Sequence, residues 1–377
     1  MRSTSGRVQT RPENKQAVYR FILSHESATR QELCVGLGLS LPTIRQSLDF
    51  LEAEELIVPS DIIRNTGGRN AVAYRISTTG HYAVGIYLSL NHISTLCIDM
   101  TGKILARDRI AVTMDTHDES YLKRIGDCVD QAVIHAGIDP QRVLGVGIAV
   151  PSLVSPDHES IVFGMTHDFT GITRSVLSRY ISCPTRMFHD SYIAGYPEVW
   201  KSPRFKNAVF LSLNGSIGTS LIIDHRLYNG DHQRAGEIGH LIMKPGTGRR
   251  CCCGNIGCLD TLCSTTVLSS CADGSLDRFF SLLKSGDEKA ASCWAEYTDE
   301  LTLAIHNLRM LYDCDIIIGG YISSYIGDFI EDLYTKIDAM DIFHVPARTY
   351  VHVSEYSIDS AALGAAIQIT EDFISTL

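Results

Sequence analysis

Six of the twelve cysteines fall between Cys251 and Cys271, four of them in the run Cys251-Cys252-Cys253-Gly254-Asn255-Ile256-Gly257-Cys258. Just upstream stands Gly236-Glu237-Ile238-Gly239-His240. Cys251, Cys253, Cys258 and His240 together supply three thiolates and one imidazole, the closed tetrahedral donor set of a structural zinc with no position left for water. Cys252 could stand in for a neighbour, and a cluster of buried or redox-active cysteines is the alternative. Gly254 and Gly257 would let a short loop wrap the ion, with Arg249 and Arg250 offsetting the thiolates.

Other groups could do chemistry. In Phe188-His189-Asp190-Ser191 a carboxylate follows a predicted strand, where it serves as a general base, as a hydrogen-bond partner for a bound hydroxyl, or as a turn or cap residue. Leu213-Asn214-Gly215-Ser216-Ile217-Gly218-Thr219 reads as a glycine-containing hairpin turn able to cradle phosphate through backbone N–H groups. Ile316-Ile317-Ile318-Gly319-Gly320-Tyr321 is an apolar strand running into a double glycine, suited to close approach of a nucleotide or to tight packing.

The elements that must position these groups begin with a different kind of module. From Lys15 to about Leu56 apolar residues recur at helical spacing, and three short helices fit. Thr29 with Glu32 forms a capping box; Gly36 to Gly38 make a tight turn; Ser40 caps a third helix over Leu41 to Leu51, with Pro42 in its first turn. This is helix-turn-helix spacing, and Thr43, Arg45, Gln46 and Asp49 face away from the apolar stripe, where base edges would lie; Ser40, Thr43, Arg45 and Gln46 are the candidate DNA contacts of this helix. Leu56-Ile57-Val58 and Ala71 to Ile76 read as strands enclosing Arg64-Asn65-Thr66-Gly67-Gly68-Arg69, a hairpin wing. Gly67 and Gly68 allow a sharp turn or close approach to a groove, and Arg64 and Arg69 could meet phosphates. A protein-binding three-helix module is the alternative.

At 377 residues the chain is expected to hold two or three cores. Hydrophobic residues at 45% and charged residues at 20% exclude a disordered or collagen-like chain. Neither a membrane span nor an export signal is present in the pattern, so a cytoplasmic protein with no membrane partner is expected. The net charge of -10 is unevenly spread. Residues 1–75 hold ten Lys/Arg against eight Asp/Glu, and the remainder 23 against 35, so only the first fifth suits a polyanion.

Beyond Tyr82 short β-rich runs alternate with helical segments, which predicts α/β layers. Ala83 opens AVGIYLSLNHISTLCIDMTGKIL and Ala208 opens AVFLSLNGSIGTSLIIDHRLYNG, each a strand-turn-strand-turn-strand run. A duplicated meander predicts two similar lobes with a ligand cleft between them.

Taken in order, these features resemble the ROK family of bacterial sugar kinases and sugar-responsive transcription regulators. The resemblance covers nearly the whole chain and is most specific at 236–240 and at the Cys-x-Cys-Gly-x-x-Gly-Cys-Leu-Asp run 251–260, which family members usually end in Glu rather than Asp260. It implies an α/β fold: a winged helix-turn-helix at 1–77, then an actin/sugar-kinase-like (ribonuclease H-like) ROK domain at 78–377. Lobe I would span about 78–195 with the C-terminal segment 358–377, and lobe II about 196–357. Zinc would fall on His240, Cys251, Cys253 and Cys258, and His189, Asp190, Glu237, His240 and Asp260 would line the sugar site. Asp168 stands where the family's sugar loop carries Asn.

The helix-turn-helix places the chain with the regulators, of the N-acetylglucosamine and xylose repressor branch. Its first hairpin also departs from the kinase pattern Asp-x-Gly-x-Thr, because Tyr87-Leu88-Ser89-Leu90-Asn91 stands there. Tyr87 replaces the Asp that would help to organise Mg²⁺, and bulky side chains replace the glycine that admits phosphate. The expectation is a repressor, or an activator, that binds operator DNA as a homodimer or homotetramer and responds to a sugar or sugar derivative. Zinc is expected as a structural ion; ATP, Mg²⁺ and catalytic residues are not. The rival reading is an ATP-dependent sugar kinase with a DNA-binding arm, in which Asp190 would be catalytic.

Overall fold

The computed structural model describes residues 11–64, 71–164, 169–201 and 204–377. Gly67, Gly68 and Arg69 of the predicted wing tip, and Asp168, lie outside the described residues.

Three helices open the chain: α1 (Pro12–Ser24), α2 (Arg30–Leu37) and α3 (Leu41–Ala53). Pro12 starts α1 with its missing N–H at a position that needs none. The Thr29 and Glu32 capping box is complete, and Gly38 ends α2 at φ 65°. The Ser40 hydroxyl accepts from Thr43 N–H at 3.4 Å and so caps α3. Strands β1 (Ala28–Thr29), β2 (Ile57–Arg64) and β3 (Ala71–Ile76) form an antiparallel sheet ordered β1-β3-β2. The sequence pattern gives only residues 56–58 to this strand, and in the structure it runs on through Pro59 to Arg64. Here β2 is an edge strand, where a proline costs no ladder hydrogen bond.

The rest of the chain builds two sheets of the same topology. Strands β4 (Tyr82–Leu88), β5 (His92–Asp99), β6 (Ile104–Ala111), β7 (Val143–Val150) and, after the small hairpin β8 (Leu153–Val154) and β9 (Ile161–Phe163), β10 (Thr185–His189) give the order β10-β7-β4-β5-β6. Strands β11 (Ala208–Leu213), β12 (Ile217–Ile223), β13 (Arg226–Tyr228), β14 (Asp315–Gly319) and β15 (Val351–Val353) give β13-β12-β11-β14-β15. In each the duplicated run forms an antiparallel meander, and two further strands continue the sheet in parallel from the other side of its first strand. The first sheet packs on helix α4 (Glu119–Ala136) through Val84, Ile86, Ile125 and Val129. The second packs on the long helix Glu288–Tyr312 through Leu211, Ile316, Trp294 and Leu301.

The C-terminal helix, Ser360–Ile374, ties these parts together. It lies on the first sheet so closely that a Cβ on Gly85 would sit 1.8 Å from the Ala362 carbonyl oxygen, and one on Gly147 would sit 2.3 Å from that of Ala365. Only glycine admits such backbone contact. Ala361 and Ala365 face a core shared with Phe210 and Ile317 of the second sheet. At the other end of the helix Ile374 and Leu377 enter the core of the N-terminal module beside Val18, Tyr19, Leu48 and Met100. Arg20 pairs with Glu371, Gln16 donates to the Ser375 carbonyl at 2.9 Å, and Arg142 reaches Glu55 at 2.6 Å.

Candidate functional site

The metal cluster is built by two loops of the second lobe. His240 ends a single helical turn after β13, and Cys251, Cys253 and Cys258 sit on a loop whose glycines bend where expected, Gly254 at φ 88° and Gly257 at φ 81°. A Cβ on Gly257 would lie 1.9 Å from the Lys244 carbonyl oxygen, so that turn requires glycine. The four donor atoms all lie within 4.8 Å of one another. His240 Nδ1 is 3.5 Å from Cys251 Sγ, and Cys253 Sγ is 3.6 Å from Cys258 Sγ. Bond lengths of about 2.0–2.3 Å to zinc in a tetrahedron place neighbouring ligands roughly 3.5 Å apart, so the set fits such an ion. Cys251 and Cys258 are buried, and burial with the neighbouring thiols pushes the Cys258 thiol up to about 12. A cation would relieve that cost. Cys252 is exposed, 3.9 Å from Cys251, and is not part of the group.

Next to this cluster Asp260 turns inward. One carboxylate oxygen accepts from Ile217 N–H at 2.7 Å, pinning the hairpin between β11 and β12. Burial raises its pKa, opposed by that N–H and by His240. The turn itself is less open than the sequence suggests: a Cβ on Gly218 would lie 1.8 Å from Ser191 Oγ, and Asn214 spends its side chain on Tyr321 N–H and Ser212. The turn thus uses its glycine and amide for packing between elements.

The end of β10 carries His189 and Asp190. His189 Nδ1 lies 3.9 Å from Glu237 and Nε2 lies 3.5 Å from Asp190, so the strand end of one lobe meets the loop before the metal cluster of the other. Asp190 is buried and accepts from Ser191 N–H at 2.6 Å. The Tyr87 phenol stands beside it; burial first, then the Asp190 charge, holds that phenol well above its usual range. Beside Tyr87 the Arg109 guanidinium stacks over the Tyr321 ring at 4.8 Å, bridging the two lobes.

The cleft is completed by residues with no sequence signal: Ser155 and His158 from the hairpin β8-β9, Tyr192 after β10, and Asn229 and Gln233, whose amides bond at 2.7 Å. On the N-terminal module Ser40 and Thr43 share a hydroxyl contact at 2.9 Å at the start of α3, and Arg45 is exposed and 3.9 Å from Asp49. Gln46 is exposed on the same helix. Val35 and Leu41, 80% and 57% exposed, stand on this surface as apolar residues that the helical pattern alone does not assign to it.

The sequence profile of the ROK family matches residues 83–371. The chain belongs to the ROK family. ROK relatives similar to it over nearly full length include the xylose repressor of Caldicellulosiruptor bescii, 22% identical over 96% of both chains. The N-acetylglucosamine repressor of Shigella flexneri is 25% identical, over 72% of this chain and 66% of its own. Among solved structures, a ROK family transcriptional regulator described as a homolog of the Escherichia coli MLC protein superposes with a TM-score of 0.74 at 21% identity, over 97% of this chain and 96% of that one. A ROK glucokinase from Streptomyces griseus, solved with glucose and AMPPNP, superposes with a TM-score of 0.64 at 21% identity, over 76% of this chain and 98% of that one. No described helix is long and apolar enough to cross a membrane.

Proposed function

We propose that this chain is a transcriptional regulator, acting as a repressor, whose ROK domain binds a sugar and whose winged helix-turn-helix binds operator DNA. The observation that carries the reading is the joint between the two parts: the C-terminal helix lies on the sheet beside the cleft and ends inside the core of the DNA-binding module. Full-length similarity to xylose repressors supports both the DNA-binding role and a sugar effector.

His189, Asp190, Glu237, His240 and Asp260 are the sugar ligands in this proposal, joined by Asp168. Zinc on His240, Cys251, Cys253 and Cys258 holds the loop that carries Asp260 and fixes the orientation of His240. Ser40, Thr43, Arg45 and Gln46 on α3 meet the major groove, with Leu41 and Val35 suited to thymine methyl groups; Arg64, Gly67, Gly68 and Arg69 form the wing contact. Residues 1–77 make the DNA-binding domain and 78–377 the ROK domain, in lobes of about 78–195 with 358–377 and about 196–357. The protein works in the cytoplasm, as at least a dimer on a palindromic site.

The rival kinase reading founders on Tyr87. Phosphoryl transfer needs an open approach and charge neutralisation at the first hairpin, and there a bulky, buried phenol stands beside the carboxylate that would act as base. The test is operator release: zinc-loaded protein is titrated with D-xylose, D-glucose, N-acetylglucosamine and their phosphate esters, following its melting temperature and its hold on DNA fragments that it selects from its own genome. A sugar that raises the melting temperature and releases DNA supports the reading. Sugar-dependent ADP formation from ATP, with no selected DNA, overturns it.

A further inference from the structure

The hairpin β8-β9 turns through Ser155 to Ser160, and His158 sits in it with φ 62°, a left-handed conformation that costs a non-glycine residue about 1 kcal/mol. Something must hold it there. The imidazole Nδ1–H donates to the Met187 carbonyl on β10 at 2.8 Å, which leaves Nε2 to accept from Arg186 Nη2 at 2.7 Å. Its ring meets Phe188 edge-on at 5.2 Å, one residue before His189.

Two cavities meet at this side chain. On one side it lines the cleft with His189, Tyr192 and Asn229. On the other it lines a surface cavity of about 570 Å³ with Arg186, Asp372 and Phe373. From there the contacts continue: Arg186 Nη1 pairs with Asp372 at 2.6 Å, and Asp372 is held by Gln368 at 2.9 Å. The adjacent residue, Glu371, pairs with Arg20 of α1 and accepts from Trp200 at 3.1 Å.

We infer that His158 is a positioning residue that couples the cleft to the DNA-binding module, through Arg186 and Asp372 on the C-terminal helix. The inference rests on the sugar-responsive regulator proposed above. The physical argument is directional. A sugar that orders His189 and the strand end of β10 constrains Phe188 and Met187, the two neighbours of His158 on that strand. The His158 acceptor atom then fixes where Arg186 points, and Arg186 fixes Asp372. A guanidinium suits this task because its planar fork serves two partners at once. Contiguous packed and hydrogen-bonded groups of this kind carry coupling between distant sites when the elements they join have two arrangements.

The experiment uses the full zinc-loaded chain, its own selected DNA fragment and the sugar panel above. Asp372→Asn removes the charge from a surface position, and Asp372 is 37% exposed, so folding is not at stake. His158→Phe keeps the edge contact with Phe188 and removes both hydrogen bonds. Asp157→Asn, on the same loop but outside the relay, is the control. For each variant the sugar affinity is measured by calorimetry and the DNA affinity with and without saturating sugar.

In Asp372→Asn and His158→Phe the ratio of the two DNA affinities should shrink by roughly 2–30-fold, the range carried by intermediate contacts. Asp372→Asn should retain its sugar affinity and sugar-free DNA affinity, and His158→Phe, a change in the lining of the cleft, is compared at sugar concentrations that saturate it. The control should match the wild type. A wild type that responds to sugar while both variants respond equally overturns the relay and leaves the regulator standing. A wild type that binds no sugar, or keeps its DNA in every sugar, overturns the regulator and the relay with it.

Discussion

Tyr87 on the first hairpin of the ROK domain stands beside Asp190, the group that a kinase would keep free, and the Asp190 charge adds to burial in holding the phenol well above its usual range. Arg109 and Tyr321 stack across the two lobes beside it.

Phosphoryl transfer is therefore expected to be absent. A coupled assay with ATP, Mg²⁺ and the sugar panel should show turnover less than about a thousandth of the ordinary 1–10³ s⁻¹ range. Tyr87→Phe should leave it there, because removing one hydroxyl does not rebuild the phosphate loop. Turnover in the normal range in either protein would reject this account.

Cys253→Ser should lower bound zinc to a small fraction of the wild-type content and reduce the melting temperature, read by metal analysis and calorimetry on the same sample. Because Asp260 hangs from this loop and pins Ile217 N–H, sugar affinity should fall together with metal content. Cys252→Ser should change neither, since its thiol is exposed and outside the donor group.

Gly364 meets the short helix Asp190–Ile193 so closely that an added Cβ would lie 2.1 Å from the Ile193 carbonyl oxygen. Gly364→Ala must push the C-terminal helix away from the element that begins at Asp190. A loss of about 1–3 kcal/mol in unfolding free energy is expected, the usual cost of overpacking, despite the better helix propensity of alanine. Equal or greater stability in denaturant would show that the two helices are not held in contact.

His158 supplies a pH test. Burial, with the Arg186 charge acting in the same sense, lowers its pKa below the ordinary 6.5 against the opposing Met187 hydrogen bond. The folded chain therefore holds fewer protons than the unfolded chain as pH falls through and below 6.5, and stability is lost in that direction. His158→Asn removes this dependence while tolerating the left-handed backbone. The stability gap between wild type and variant should narrow from about pH 7.5 to about pH 5, as measured by urea unfolding. A gap that widens on acidification would mean that the folded state favours the imidazolium.

Much of the local structure can be read directly from the sequence. The capping box at Thr29, the cap at Ser40 and the glycine turns around the cysteines are decided by neighbours within a few residues, and each forms as expected. The duplicated meander is legible because strand and turn signals repeat, and both copies take the same place in equivalent sheets. Contacts between distant segments are not legible. Nothing near His158 or Asn229 announces that they share a cavity, and the amide of Asn214 reads as a phosphate-loop residue until Tyr321 N–H is found bonded to it. The extension of β2 through Pro59 is hidden for a related reason: whether a strand lies at an edge, where proline is tolerated, is a property of the sheet, not of the strand.

The buried seat of Ile374 also bears on how the molecule comes to be made. Helices α1 to α3 leave the ribosome well before the C-terminal helix, yet one wall of their core is supplied by that segment about 300 residues later, roughly 15–60 s away at ordinary rates of synthesis. Until then the nascent module must wait with an uncovered apolar face, and a prematurely terminated product would carry a helical head that cannot finish its own interior.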